Sequence, residues 1–289
     1  MSVLALPVTV RALRNDIAAQ FVEAGIESPN AEARDSIAAV LDQSRFWPVD
    51  HGDDVLSDEL LLAIREAVAK RKRGMPFAYA VGKAAFRHLT LVVDQRVLIP
   101  RQETELLIDF VLDATKGRGV VADVGTGSGC IALALATEGH YEHVIATEIS
   151  REAMAVAQLN ANAVLPPQAR FSLREGDLLD PLTEEDGITA IVSNPPYLAP
   201  SDMPQLPPSV REWEPHQALL SDNDGLAHTL RIVDEAPRVL SRGGLLALEV
   251  DSRRALRVAA YTNANGSYRD VQVLRDLTDR DRFVLARAR

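Results

Sequence analysis

The chain of 289 residues contains 47% hydrophobic and 25% charged residues, with a formal net charge of −10 and a single cysteine. This composition is typical of a globular protein, and its acidic balance argues against a broad nucleic-acid surface, because duplex binding relies on clustered Lys and Arg. Cys130 alone allows neither an intrachain disulfide nor a multi-cysteine metal site, and we predict no metal. Met1 to Leu6 is apolar but short, and no stretch approaches membrane-spanning length, so we expect a cytoplasmic protein.

Three apolar stripes at helical spacing predict three helices in roughly the first 75 residues. Gly25 closes the first helix, and Ser28 and Ser57 are placed to cap the second and third. Pro48–Asp54 is a polar break between the second and third helices. The stripes consist of Val10, Leu13, Ile17 and Phe21; of Ala33, Ile37 and Leu41; and of Leu60, Ile64 and Ala67.

The segment Phe86–Ile99 departs from helical spacing. Apolar residues alternate with others over Leu89–Val93, and the apolar Val97–Ile99 follows the polar Asp94–Arg96. This pattern predicts two strands around that polar turn, and hence a hairpin.

From Thr104 onward, helical and β-rich segments alternate, which predicts an α/β fold with a mainly parallel, doubly wound sheet. The helical segments are Thr104–Lys116, Cys130–Glu138, Arg151–Ala163, Leu226–Leu240 and Arg253–Tyr261. The β-rich segments are Val120–Val124, Val144–Thr147, Arg170–Arg174, Ala190–Ser193, Leu245–Val250 and Phe283–Ala286. We therefore predict a small helical domain over residues 1–80, a hairpin linker over 81–103 and an α/β domain over 104–289.

A glycine-rich loop, Gly125–Gly129, joins the apolar strand Val120–Val124 to a helix. Glycines permit a tight turn and close approach of a ligand to the backbone, and the helix N-terminus offers free N–H groups. The spacing of its glycines departs from the dinucleotide fingerprint, and the Lys of a P-loop is missing. With Asp123 two residues earlier, the loop resembles the first motif of class I methyltransferases, whose cofactor is S-adenosyl-L-methionine.

Two carboxylates follow the next two strands. Glu148 follows Val144–Thr147, where a carboxylate can accept hydrogen bonds from both ribose hydroxyls of the cofactor. Asp177 follows the third strand, where class I methyltransferases contact adenine. The alternatives are a helix cap at Glu148 and an ordinary Gly-Asp turn at Asp177.

The tetrapeptide Asn194-Pro195-Pro196-Tyr197 follows the strand Ala190–Ser193. The prolines are rigid and lack N–H groups, so their carbonyls remain as acceptors, and the Asn194 side chain offers another. Tyr197 supplies a flat face for stacking. These groups suit a planar –NH₂ group, and the alternative is a proline-rich turn that merely ends a strand.

An amide or amino nitrogen is a poor nucleophile, because its lone pair is delocalised. Two acceptors that hold its two protons can orient the nitrogen and direct the lone pair at the sulfonium methyl of the cofactor. Catalysis would then come from positioning and preorganised electrostatics. The sequence therefore predicts methyl transfer to an amide or amino nitrogen.

The segment Leu98–Glu105 reads Leu-Ile-Pro-Arg-Gln-Glu-Thr-Glu. It resembles the Leu-Ile-Pro-Arg-Pro-Glu-Thr-Glu signature of the HemK/PrmC family, the protein-glutamine methyltransferases that act on peptide chain release factors. The resemblance covers nearly the whole chain, including the helical N-terminal region. Other similar stretches are residues 71–82, 210–219, 224–226, 243–250 and 279–284.

The resemblance implies a class I methyltransferase (Rossmann-like) fold, and a monomer that methylates the glutamine of the Gly-Gly-Gln loop of class 1 release factors. The helical domain would help to dock the release factor. We predict that the cofactor is bound by Asp123, Gly125, Thr126, Gly127, Ser128, Gly129, Glu148, Asp177, Leu178 and Asn194. We predict that the glutamine is bound by Asn194, Pro195, Pro196 and Tyr197, among which Asn194, Pro195 and Tyr197 act in catalysis.

Four positions depart from the family pattern. Gln102 replaces the usual Pro, Glu148 the commoner Asp, and Asp251 the usual Gly. Leu178 stands where some members have Trp, beside the adenine. None of these changes removes a catalytic group.

Three other functions compete with this one. An adenine-amino methyltransferase of DNA or RNA would share the Asn-Pro-Pro-Tyr motif, but it would have to receive a flipped base, and no added recognition domain is evident. A glutamine methyltransferase of a ribosomal protein is a nearer alternative. A binding module without activity would retain the fold alone.

Overall fold

A computed structural model describes residues 8–289; residues 1–7, and with them the expectation for Met1 to Leu6, lie outside the described part. The chain divides into two compact units. One extends through Lys83 and also includes Pro208–Trp213, and the other comprises Ala84–Pro207 and Glu214–Arg289. The sequence had assigned Pro208–Trp213 to the α/β domain, because nothing in the local pattern indicates that these six residues belong to the other unit.

Within residues 8–289 the helices are α1 (Val10–Glu23), α2 (Pro29–Leu41), α3 (Trp47–Asp50), α4 (Asp58–Lys72), α5 (Phe77–Val81), α6 (Gln102–Thr115), α7 (Cys130–Glu138), α8 (Arg151–Val164), α9 (Pro208–Arg211), α10 (Asp222–Gly225), α11 (Ala227–Glu235) and α12 (Ala255–Ala264). Short 3₁₀ helices lie at Glu184–Asp186, Pro200–Gln205, His216–Ala218 and Ala236–Arg238. None of the helices in this described range is both long and apolar enough to cross a membrane.

The strands of the described chain are β1 (Lys83–Phe86), β2 (Leu89–Val92), β3 (Val120–Val124), β4 (His143–Glu148), β5 (Phe171–Glu175), β6 (Ile188–Ser193), β7 (Leu240–Glu249), β8 (Tyr268–Arg275) and β9 (Asp281–Ala288). β1 and β2 form a two-stranded sheet, and the others form a seven-stranded sheet in the order β5-β4-β3-β6-β7-β9-β8. The strands from β5 to β7 pair in parallel, whereas β9 pairs antiparallel with both β7 and β8.

Buried apolar side chains fill both faces of the large sheet. Along β3, Val121 belongs to the core that includes Leu107 of α6, while Ala122 belongs to the core that includes Ile232 of α11. Strands covered on both faces read as continuous apolar runs, which is why Val120–Val124 was recognisable from the sequence. The predicted doubly wound α/β fold is therefore present.

The first unit packs around the side chains that the helical stripes predicted. Val10, Leu13, Ile17 and Phe21 of α1 are all buried. In α4 the buried residue is Leu61 rather than the predicted Leu60, because the stripe that faces the core begins one residue later.

Two predicted details of the first unit are wrong. Ser28 lies at the N-cap of α2, but its side chain makes no capping hydrogen bond, whereas the Ser57 hydroxyl accepts a hydrogen bond from the Leu60 N–H at 3.4 Å. The break expected at Pro48–Asp54 contains most of the short helix α3, whose first turn accommodates Pro48 without loss of a hydrogen bond.

The hairpin turn was also predicted at the wrong place. It lies at Arg87-His88 rather than at Asp94–Arg96, and Arg87 has a left-handed backbone with a φ of +52°. The Glu105 carboxylate accepts a hydrogen bond from the Arg87 N–H at 2.9 Å, and Glu138 pairs with its guanidinium. Contacts distant in sequence therefore form this turn, so no local signal marks it.

The buried face of α4 provides a matched test of the first unit's core. Ile64→Ala should lower the free energy of unfolding by about 2–5 kcal/mol, because a fully buried side chain leaves a cavity. Leu62, which is 60% exposed, loses the same three carbons in Leu62→Ala, and that change should stay within about 0.5 kcal/mol. Urea unfolding followed by circular dichroism measures both, and equal losses would contradict the assigned face.

Candidate active site

A cavity lies where four neighbouring strands of the large sheet end. Residues just beyond the carboxyl ends of β3, β4, β5 and β6 line it together. The strand order reverses direction between β3 and β6, and such a switch point is where α/β sheets bind ligands. The lining residues that the sequence predicted are Gly125, Thr126, Gly127, Ser128, Glu148, Asp177, Leu178, Asn194 and Pro196.

The glycine loop has a backbone that other residues rarely adopt. Gly125, Gly127 and Gly129 have φ angles of +73°, +57° and +85°. The Gly125 and Thr126 N–H groups both donate to the Thr147 carbonyl, at 3.0 and 2.9 Å, which anchors the loop to β4. A Cβ atom added to Gly125 or Gly127 would meet no heavy atom within 4 Å. The loop therefore presents open backbone that a ligand can approach.

Asp123 braces this loop from behind. Its side chain is fully buried, and Oδ2 accepts hydrogen bonds from the Thr126 hydroxyl at 2.6 Å and the Ala132 N–H at 3.1 Å. Burial raises the pKa of Asp123 to about 7. The residue was predicted as a cofactor contact, but the structure places it outside the cavity lining, joining the loop to α7.

Glu148 faces the cavity at the end of β4. Its Oε2 accepts a hydrogen bond from the Gly127 N–H and its Oε1 from the Ser150 N–H, both at 2.9 Å. Each carboxylate oxygen has a second lone pair, so the group can still accept from two hydroxyls of a ligand. The predicted ribose acceptor and the alternative helix-cap role are thus compatible in one side chain.

Asp177 and Leu178 lie beyond β5 as predicted, with different surroundings. Asp177 forms a short ion pair with Arg231 of α11, so its carboxylate is held by protein at the cavity wall. Leu178 has a φ of +49° and is 8% exposed, and its carbonyl accepts a hydrogen bond from the Thr147 hydroxyl at 2.8 Å. Its side chain gives the cavity an apolar surface.

The Asn-Pro-Pro-Tyr segment divides between the cavity and the core. Asn194 and Pro196 line the cavity, whereas Pro195 and Tyr197 lie outside the lining. The Tyr197 hydroxyl donates a long hydrogen bond of 3.4 Å to Glu249, and burial raises the pKa of Tyr197. The flat face expected of Tyr197 is therefore not part of this cavity.

Gly225 holds this segment by close packing of backbone against backbone. It has a φ of +77°, and an added Cβ would lie 2.3 Å from the Tyr197 carbonyl oxygen. The Asp-Gly-Leu stretch that resembled the family thus requires glycine for two reasons, its left-handed backbone and the absence of space.

The signature segment before and within α6 connects the site to its surroundings. Arg101, which lines the cavity, donates to Glu214 at 2.6 Å, and the Glu214 side chain is only 1% exposed. Thr104 donates to Glu249 at 2.7 Å and accepts from Asn194 at 3.1 Å. The segment therefore lies beside the site, and its ion pair with Glu214 is partly buried.

Glu249, which is 1% exposed at the end of β7, was not predicted as a site residue. Burial raises the pKa of this carboxyl to about 7. A signal was present, since Glu249 is the one charged residue in the otherwise apolar run Leu245–Val250, at the edge of the sheet where ligands bind. Burial also raises the pKa of the Cys130 thiol to about 12, which keeps that thiol neutral.

Two family models match this chain. Residues 102–205 match the Methyltransferase small domain, and residues 12–82 match the PrmC N-terminal domain. A release factor glutamine methyltransferase of Rhodopirellula baltica is 35% identical over 270 residues, which cover 91% of each chain. Another, of Cereibacter sphaeroides, is 39% identical over 266 residues, or 91% of this chain and 93% of that one.

The chain belongs to the release factor glutamine methyltransferase family. This membership confirms the resemblance carried by Leu98–Glu105 and by Asn194–Tyr197. Among solved structures, the hMettl16 catalytic domain in complex with MAT2A 3′UTR hairpin 6 is similar, with a TM-score of 0.53 at 16% identity, and the alignment covers 80% of this chain and 82% of that one. At this identity the similarity shows the fold alone, and the predicted class I methyltransferase fold is confirmed.

The departure from the family pattern at Asp251 has a structural explanation. Asp251 forms ion pairs with Arg253 and with Arg254, at 2.6 and 2.8 Å. Arg254 is 6% exposed and also pairs with Asp202, whose carboxylate accepts the Ala199 N–H. Asp251 therefore joins the end of β7 to the loop that follows Asn194–Tyr197.

The close approach at Gly225 can be separated from its backbone conformation. Gly187 also has a positive φ, of +66°, but an added Cβ there meets nothing within 4 Å. Gly187→Ala should therefore cost about 1–2 kcal/mol of unfolding free energy. Gly225→Ala should cost more and should also displace the Asn194–Tyr197 backbone. Urea unfolding of both variants measures this difference, and equal losses would refute a steric role for Gly225.

Proposed function

We propose that this protein transfers the methyl group of S-adenosyl-L-methionine to the side-chain amide nitrogen of the glutamine in the Gly-Gly-Gln loop of class 1 release factors. The observation that carries the proposal is that one cavity brings together the glycine loop, Glu148 and Asn194. These groups combine a site for the cofactor with an acceptor for a planar –NH₂ group. The relatives named as release factor glutamine methyltransferases support the choice of substrate.

The cavity fits the cofactor by its shape and its chemistry. Gly125 and Gly127 leave open space above the loop, Glu148 offers a carboxylate, and Leu178 and Ile149 are apolar lining residues beside which a purine can pack. When bound, S-adenosyl-L-methionine supplies an electrophilic methyl group on a sulfonium. Within this set, Thr126 and Ser128 would also contact the cofactor, while Asp123 would hold the loop in shape.

Asn194 would bind the substrate amide. Its side-chain oxygen and the neighbouring proline carbonyls can accept the two amide protons, which orients the nitrogen without a strong base. The nitrogen becomes cationic and acidic after methylation, so its proton can then leave to water. Tyr197 would not stack on the substrate. It would instead hold the backbone of the segment in place from outside the cavity.

The remaining parts of the proposal concern the setting of the reaction. We propose that the enzyme acts in the cytoplasm, where release factors act, and that it acts as a monomer. The helical unit through Lys83 would help to dock the release factor. This unit contains residues 12–82, which match the PrmC N-terminal domain.

Methyl transfer to a purified release factor tests the proposed reaction directly. With labelled S-adenosyl-L-methionine, the wild-type release factor should gain one methyl group, and mass spectrometry of its peptides should place this group on the Gly-Gly-Gln glutamine. A release factor with that glutamine changed to Ala is the control and should remain unlabelled. Label on the control, or on a DNA oligonucleotide in place of the release factor, would contradict the proposal.

Glu148 should contribute to cofactor affinity. Glu148→Ala removes an acceptor for two hydroxyls and also releases the Gly127 and Ser150 N–H groups, so the cofactor Kd should rise by about 10–100-fold. Glu148→Asp keeps the carboxylate and should retain most of the affinity. Isothermal titration calorimetry measures both variants. An unchanged Kd in Glu148→Ala would exclude this role.

A further inference from the structure

The Asn194 side chain takes part in a series of hydrogen bonds that continues into the core. Its Nδ2 donates to the Thr104 hydroxyl at 3.1 Å, and that hydroxyl donates to Oε2 of Glu249 at 2.7 Å. Thr104 and Glu249 are each 1% exposed. The sheet register places the two ends together, because Ser193 of β6 pairs with Leu248 of β7 and the next residues are Asn194 and Glu249.

The donor and the acceptor of each hydrogen bond in this series follow from the number of hydrogen atoms that each group carries. An ionised carboxylate can only accept hydrogen bonds, so the single hydroxyl hydrogen of Thr104 must point at Glu249. The hydroxyl oxygen is then left only as an acceptor toward Asn194, and the Asn194 group that faces it must be the –NH₂ group. The amide oxygen Oδ1 is consequently the atom that Asn194 presents to the cavity.

We propose that Glu249, acting through the Thr104 hydroxyl, is a positioning residue that fixes the orientation of the Asn194 amide. The proposal rests on the proposed function, since it explains how Asn194 offers an acceptor to the substrate nitrogen. In the opposite orientation, the –NH₂ group of Asn194 would face the –NH₂ group of the substrate. Two donors would then oppose each other and one acceptor of the site would be lost.

The charge state of Glu249 sets this orientation, so the charged groups around it matter. Burial raises the pKa of Glu249 to about 7, while the Thr104 hydrogen bond and Arg282 of β9 favour the ionised form and Glu103 of α6 opposes it. The Tyr197 hydroxyl donates to this carboxylate, and the negative charge of Glu249 contributes, after burial, to the raised pKa of the Cys130 thiol. Below that pH the protonated Glu249 can donate to Thr104, which frees the hydroxyl hydrogen to turn toward Asn194. The value of kcat/KM should therefore fall as the pH decreases through about 7.

Kinetics of three variants test the positioning role. Thr104→Val keeps the side-chain shape but removes the hydroxyl, and should lower kcat by about 100-fold, as is usual for a misplaced polar group in an active site. The cofactor Kd from calorimetry should remain unchanged. Thr104→Ser should restore most of kcat. Glu249→Gln should lower kcat and remove the acidic limb of the pH profile.

A matched control distinguishes the positioning role of Thr104 from the general effect of removing a buried hydroxyl group. Thr262 is fully buried in α12, and its hydroxyl donates to the Val258 carbonyl, so Thr262→Val removes a comparable group far from Asn194 in the sequence. It should leave kcat and the pH profile unchanged. Wild-type kcat in Thr104→Val, or an intact acidic limb in Glu249→Gln, would overturn the proposal.

A measurement on the protein alone distinguishes failure of this proposal from failure of the proposed function. In protein labelled with ¹⁵N at asparagine, the side-chain –NH₂ signal of Asn194 is identified by its loss in Asn194→Ala. One of its protons should exchange slowly with solvent, and Thr104→Val and Glu249→Gln should each abolish that protection. Unchanged exchange in the variants would refute the positioning role even if the release factor is methylated. Protection without methylation of the release factor would refute the proposed function and support the positioning role.

Discussion

The architecture of the site depends on one interaction that occurs twice, a threonine hydroxyl donating to a buried carboxylate. Asp123 accepts from Thr126 at 2.6 Å, and Glu249 accepts from Thr104 at 2.7 Å. Burying a carboxylate is costly unless hydrogen bonds replace its water, and a hydroxyl offsets part of that cost while fixing its own direction. One pair shapes the glycine loop and the other orients Asn194. Both carboxylates are buried and lie outside the cavity lining, so solvent does not compete for these hydrogen bonds.

The strand order places these two pairs under the same cavity. β3, β6 and β7 are neighbours, so their carboxyl ends bring Asp123, Asn194 and Glu249 to one edge of the sheet. Methyl transfer to an amide needs accurate positioning more than it needs a base. A site supported by rigid strand ends and buried hydrogen bonds meets that requirement.

Local patterns allowed accurate prediction wherever the local chain decides the structure. Val120–Val124 and Cys130–Glu138 have the bounds that the sequence predicted, because a strand covered on both faces and the helix behind a glycine loop have clear signatures. β8 was missed. Its edge position leaves half of its side chains exposed, and Asp270, with a φ of +56°, interrupts its pairing with β9 and breaks the alternation.

The sequence predicts the roles of some site residues but not the positions of others. The sequence by itself determined the chemistry, since the glycine loop, Glu148 and the Asn-Pro-Pro-Tyr segment each require particular residue types at fixed spacing. Only the tertiary structure decided which side chains face the ligand and which stand behind them. Asp123 and Tyr197 carry motif positions yet lie outside the cavity, while Thr104 and Glu249, 145 residues apart, meet in the core. The physical reason is that a motif records which groups are needed, whereas the direction of a hydrogen bond depends on partners that only folding brings into contact.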